Sequence, residues 1–133
     1  MMPEPISTPA PVHILVIEDD VLTRAALADE FRELGLTVIE ARDADEAASY
    51  LDAGGHVDLI FSDICMPGSM NGLEFASLVR AQHPRLPVIL TSGNVGLPST
   101  DEFGPFLPKP YDMDRAVSLV FETLKLPRPG RGG

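Results

Sequence analysis

The stretch Val57-Asp58-Leu59-Ile60-Phe61-Ser62-Asp63-Ile64-Cys65-Met66-Pro67-Gly68 decides the fold. An apolar run of strand length ends in a carboxylate, and a Pro-Gly turn follows at once. A second apolar run, Val12 to Ile17, ends in Glu18-Asp19-Asp20. Continuous apolar runs read as strands buried on both faces, the habit of parallel sheets. Two such strands ending in acid put carboxylates at one edge of a sheet, where open α/β proteins place ligand sites. Crowded carboxylates repel, so the group calls for a divalent cation or a proton.

Working outward, Val21–Leu34 takes helical spacing, with Leu27, Phe31 and Leu34 on one face and Gly35 as the stop. Leu36–Glu40 is a second short strand. Asp43 fits an N-cap with Glu46 three residues on, an acidic variant of the capping box, ahead of an alanine-rich helix over Ala44–Ala53. After the third strand, Val57–Ser62, a helix begins at Asn71 or Gly72 and ends before Pro84. Pro87–Thr91 is the fourth strand and Pro105–Leu107 a short fifth. Asp112 caps a last helix that buries Met113, Ala116, Val117, Val120 and Leu124.

Five β-α repeats predict an α/β fold, a doubly wound five-stranded parallel sheet of (βα)5 type with helices on both faces. The 17 positions from Ser92 to Lys109 (109 − 92) hold Gly93, Gly96, Pro98, Gly104 and Pro105. A helix between those strands is therefore expected to be shortened, displaced or absent. The domain is expected over 12–125, with a disordered Pro-rich lead-in at 1–11 and a disordered Pro/Gly tail at 126–133.

Right-handed crossovers bring the C-terminal ends of all the strands to the same edge. That edge carries Glu18, Asp19, Asp63, Ser92 and Lys109. Asp19 and Asp63, with Glu18 directly or through water, can hold one hard cation, and Mg²⁺ suits an open rim. Asp63 is a carboxylate able to attack phosphorus. Lys109 supplies a positive charge and Ser92 a hydroxyl for phosphoryl oxygens. Thr91 is the rival hydroxyl, but strand alternation favours Ser92.

Ile17-Glu18-Asp19-Asp20, Ser62 to Gly68, Asn71-Gly72, Leu90 to Gly93 and Leu107-Pro108-Lys109-Pro110 occur in that order at strand ends. In these motifs, from about Val12 to Leu124, the chain resembles the response-regulator receiver domains of two-component signalling, the CheY-like family. The resemblance implies that Asp63 is the phosphoacceptor, Asp19 a direct Mg²⁺ ligand and Glu18 a ligand through water. The backbone carbonyl of Cys65 would complete the set. Ser92 would be the switch hydroxyl and Lys109 the phosphoryl partner, with a cis bond to Pro110. Phe106 holds the position of the aromatic residue that tracks the switch, and lacks the hydroxyl of the usual Tyr. The implied partners are a histidine kinase or histidine phosphotransfer protein and an unidentified downstream protein. The implied activity is the chain's own phosphorylation and slow dephosphorylation, without enzymatic turnover of other substrates.

Ten basic against twenty acidic residues leave a formal net charge of −10 and a pI near 4.5. Such a surface repels phosphate backbones, so no nucleic-acid partner is expected. No apolar run approaches a membrane span and no signal peptide is evident, while one cysteine cannot make an internal disulfide. A cytoplasmic setting is expected. His13, His56 and His83 show no metal-ligand spacing and are taken as structural or surface residues. Other readings are a phosphorylation-independent adaptor, a Mg²⁺-dependent phosphohydrolase or the receiver piece of a hybrid kinase. The phosphohydrolase lacks its D-x-D motif, whereas Met1-Met2 suits a native start.

Overall fold

β1 (His13–Ile17), β2 (Thr37–Ala41), β3 (Leu59–Asp63), β4 (Val88–Ser92) and β5 (Phe106–Pro108) pair in parallel in the order β2-β1-β3-β4-β5. The structure is a computed structural model that describes residues 10–93 and 103–129. Among these, four helices cover the sheet: α1 (Val21–Glu33), α2 (Ala44–Asp52), α3 (Gly72–Gln82) and α4 (Met113–Leu124). The shortened helix expected between β4 and β5 falls on residues 94–102, outside the described residues. So do most of the lead-in and the end of the tail. None of the described helices is long and apolar enough to cross a membrane.

Side-chain alternation along each strand divides the core in two. Ile14 and Val16 of β1, Leu59 and Phe61 of β3, and Ile89 of β4 pack against Leu27, Phe31, Val117 and Val120 of α1 and α4. Leu15, Ile17, Ile60, Val88 and Leu90 face the other way, onto Ala44, Ala47, Phe75 and Val79 of α2 and α3. Both faces are covered, which is why the strands carry no polar alternation. Phe61 joins Phe31 and Tyr111 by edge contacts at centroid separations of 5.8 and 6.1 Å.

Each helix starts on an Asx cap. The carboxylates of Asp20, Asp43 and Asp112 and the amide oxygen of Asn71 accept from the backbone N–H of Thr23, Glu46, Arg115 and Glu74. The reciprocal capping box occurs at Asn71–Glu74, with both bonds at 2.9 Å. At α2 the Glu46 carboxylate accepts instead from the N–H of Arg42, one residue before the cap.

Strand limits shift by one or two residues from those expected. β3 begins at Leu59, because the Asp58 carboxylate takes the His13 N–H at 2.8 Å in place of a backbone carbonyl. It ends on Asp63, which still lies in register with Thr91 of β4.

α3 leaves the sheet directly beneath that residue. The Gly72 N–H donates to the Ile64 carbonyl at 2.9 Å. A Cβ on Gly72 would press into the Asp63 carbonyl oxygen and stand 2.7 Å from Ile64 Cα. Among the described residues, a Cβ on Gly93 would meet Lys109 Cβ at an ordinary 3.8 Å. Gly72→Ala should therefore destabilise the protein by about 1–3 kcal/mol, with Gly93→Ala within about 0.5 kcal/mol of wild type. Urea unfolding of the two variants checks this, and equal costs would contradict the close approach.

Candidate functional site

The acids that end β1 and β3 meet at the C-terminal edge of the sheet. Ile17 pairs with Ser62, so Glu18 and Asp63 lie side by side on neighbouring strands. Both are buried, at 4% and 7% exposure, although both are ionisable. Asp19, the next residue, is exposed and donates its N–H to Glu18 Oε2 at 3.1 Å. Asp20 turns away to cap α1. One oxygen each from Glu18, Asp19 and Asp63 lie within 4.8 Å of one another.

Lys109 answers the two buried charges. Its chain position is set by β5, which is tied to β4 through the Lys109 N–H and the Ser92 carbonyl at 3.0 Å. The ammonium lies 2.9 Å from Asp63 Oδ2 and 3.4 Å from Glu18 Oε1. The Lys109–Pro110 peptide is cis. Asp63 Oδ1 accepts the Cys65 N–H at 3.2 Å. The contact made by Cys65 in this structure is therefore through its N–H, and its exposed thiol is 3.9 Å from Ser92 Oγ.

One cation does not neutralise this group. Burial pushes the Glu18 carboxyl up to about 7, helped by its hydrogen bond to Asp63 and by that residue's charge, against the pull of Lys109. Burial draws the Lys109 ammonium down, but the hydrogen bonds and charges of Asp63 and Glu18 outweigh it and raise its pKa. The cluster is thus short of positive charge. Three carboxylates at an open edge, all hard oxygen donors, fit a cation of the Mg²⁺ kind.

Ser92 ends β4, buried at 3%, and Thr91 is buried beside it at 2%. The structure brings Glu18, Asp19, Asp63 and Lys109 together and sets Ser92 on the adjoining strand. Phe106 pairs with Leu90, is 36% exposed and, among the described residues, belongs to neither apolar cluster.

The histidines require a correction. The sequence shows no metal-ligand spacing among the histidines, yet His13 and His56 both lie against Asp58 at the opposite, N-terminal edge of the sheet. His13 opens β1 with a partly exposed side chain and is not sealed inside the strand. Their separation in sequence hid this. The β1–β3 pairing and the path of the loop between α2 and β3 bring them together.

Removing one partner of a buried ion pair leaves the other charge stranded. In the absence of divalent cations, Lys109→Met should cost about 1–2 kcal/mol, discounted because that side chain is 30% exposed. Asp63→Asn removes a crowded carboxylate and should gain about 1 kcal/mol. Urea unfolding in EDTA compares them, and a loss in Asp63→Asn equal to that in Lys109→Met would show that crowding does not strain the site.

Comparison with known proteins supplies the family. The family described as "Response regulator receiver domain" matches residues 14–120. The chain is 37% identical over 112 residues to the DNA-binding transcriptional regulator NtrC of Salmonella typhimurium, covering 80% of this chain and 24% of that protein. It thus spans about a quarter of that relative's length. The response regulator TrrA of Thermotoga maritima, solved in complex with Mg²⁺ and BeF, matches with a TM-score of 0.76 at 28% identity, over 85% of this chain and 98% of that one. A CheY-like receiver domain protein of Methanospirillum hungatei shares the fold, with a TM-score of 0.81 at 21% identity over 87% and 95% of the two chains. With the family match running from β1 into the last helix, the chain belongs to the response regulator receiver domains of two-component signalling.

Proposed function

We propose that the chain accepts a phosphoryl group on Asp63 from a histidine kinase or histidine phosphotransfer protein and signals through protein contacts. Receiver domains interact with histidine kinases and bind Mg²⁺ at an acidic pocket. The observation that carries the reading is the pairing of a buried strand-end carboxylate, Asp63, with Lys109 at 2.9 Å inside a cluster of three acids. An isolated strand-end acid would be solvated and would need no such partner.

In the proposed transfer, an Asp63 carboxylate oxygen forms the new bond to phosphorus. The phosphorus–nitrogen bond of the donor phosphohistidine breaks, its electron pair returns to the imidazole, and the ring nitrogen takes up a proton. Asp63 becomes an acyl phosphate, which water then hydrolyses slowly. A carboxylate oxygen attacks directly, so no general base is required. Lys109 exchanges its contact with Asp63 for a phosphoryl oxygen and holds the charge there. The N–H of Cys65 orients the other Asp63 oxygen, leaving Oδ2 on the lysine side. Glu18, Asp19 and Asp63 would hold Mg²⁺, with the Cys65 carbonyl as the further ligand. The cation supplies positive charge that reduces repulsion between the acids and an incoming dianion.

Ser92 is the proposed switch hydroxyl, moving toward the phosphoryl group, with Phe106 two strand positions from Pro108 as the side chain that follows it. The partial exposure of Phe106 supports this, since among the described residues its ring belongs to neither apolar cluster. The chain is its own substrate in this scheme, and a cytoplasmic location would put it in reach of a kinase.

Beryllofluoride with Mg²⁺ should shift the amide NMR signals of residues near Asp63, Ser92 and Lys109, as should acetyl phosphate. Asp63→Asn should abolish both responses, and EDTA should reverse the first. A wild-type protein that gives no shift with either reagent would sink the proposal.

A further inference from the structure

We infer that His13, His56 and Asp58 form a second divalent-cation site, of the zinc class, at the N-terminal edge of the sheet. One nitrogen from each imidazole and one Asp58 oxygen lie within 4.8 Å of one another. The parallel pairing of Ile14 with Leu59 makes His13 and Asp58 neighbours at the strand starts. Their backbones are locked together, with the Asp58 N–H donating to the His13 carbonyl at 2.8 Å. The Asp58 carboxylate is held in turn, because Oδ2 accepts the His13 N–H at 2.8 Å. Its other oxygen lies 3.0 Å from His56 Nε2. The two rings meet edge to face with centroids 5.1 Å apart. Capping a strand requires only the His13 N–H. The cap does not account for two imidazoles converging on the same carboxylate.

His13 Nδ1 lies 3.1 Å from the Pro11 carbonyl. The same nitrogen faces Asp58, 4.0 Å from Oδ2, and in the tautomer protonated at Nε2 its lone pair is available to a cation that would replace the Pro11 contact. The loop carrying His56 is anchored from α2, where the Tyr50 hydroxyl donates to the His56 carbonyl at 3.1 Å. Gly55 lets the Tyr50 ring lie against the backbone, since a Cβ there would stand 2.7 Å from Tyr50 Cδ1. Tetrahedral ligands about 2.1 Å from zinc stand roughly 3.4 Å from one another. The His56 side chain is 66% exposed and can rotate to close that gap.

The donor set chooses the ion. Two imidazoles and a carboxylate suit zinc, with water in the fourth position, whereas Mg²⁺ prefers an all-oxygen shell. The five residues of β1 separate this site from the acidic edge by roughly 16 Å. The two sites therefore differ in both place and chemistry. A cation here would tie the start of β1 to the loop between α2 and β3, and would stabilise the folded state by linkage.

The test uses the untagged full-length chain, stripped with EDTA, dialysed and titrated with zinc chloride in excess Mg²⁺. One equivalent of zinc should bind, raise the unfolding temperature, and shift the imidazole NMR signals of His13 and His56 while leaving those of His83 in place. His56→Ala, at an exposed position, should keep the metal-free unfolding temperature and weaken zinc binding at least about tenfold, as should His13→Gln. Asp63→Asn should bind zinc like wild type. The inference is overturned by no uptake of zinc, by affinity unchanged in both histidine variants, or by affinity lost in Asp63→Asn.

Discussion

A single ammonium group, Lys109 Nζ, stands between two buried carboxylates, and the functional edge of the sheet is organised around that shortage of positive charge. Glu18 and Asp63 are driven together because each follows an apolar strand that can be buried only in a parallel sheet. The same burial removes the water that would otherwise screen them. Lys109 reaches both, but a third acid, Asp19, lies within the same cluster. The unbalanced charge shows itself in Glu18, whose carboxyl is held near 7 by burial and by Asp63. A site built for stability alone would replace these groups with apolar ones. Keeping them costs stability, and the return is a place where added positive charge is strongly favoured.

Much of this edge was legible in the chain because position after an apolar run is a one-dimensional property. Val12–Ile17 and Val57–Ser62 are too apolar to be half-solvated strands. The acids that follow them, Glu18, Asp19 and Asp63, had to emerge at the same edge once crossovers are right-handed. Lys109 follows the short fifth strand, and it too arrives there. Asp43 and Asp112 were recognisable as caps because an Asx residue directly preceded helical spacing. Ser92 reached the end of β4 by the same logic, although its position on the adjoining strand sets it beside Cys65 as well as near the acids.

What the chain concealed depends on register and on side chains that substitute for backbone. β3 starts late because the Asp58 carboxylate does the work of a strand carbonyl, and nothing local to Val57-Asp58 distinguishes that role from a solvated acid. The convergence of His13 and His56 needs the pairing of β1 with β3 and the path of the loop after α2. Neither the reciprocal cap at Asn71–Glu74 nor the reach of Glu46 past its cap to Arg42 follows from composition, since Asn71–Glu74 and Asp43–Glu46 have the same three-residue spacing. Phe106 differs from Leu107 only in strand phase, and a three-residue strand gives too little alternation to assign that phase.

Asp63 is placed as much by the residues around it as by its strand. β3 must end abruptly for the carboxylate to face Lys109, and the chain must then return close beneath the sheet for α3 to cover Ile60 and Leu90. That path brings the start of α3 against the Asp63 carbonyl, at a distance only glycine permits. The Gly72 N–H on Ile64 and the Cys65 N–H on Asp63 take up two contacts around the bend. The Asp63 side chain thus projects from a backbone fixed on both sides, while the neighbouring β4 ends in Ser92, followed by Gly93. On the proposed reading, a backbone fixed in this way would let charge added at Asp63 act on the Ser92 side of the site without moving Asp63 itself.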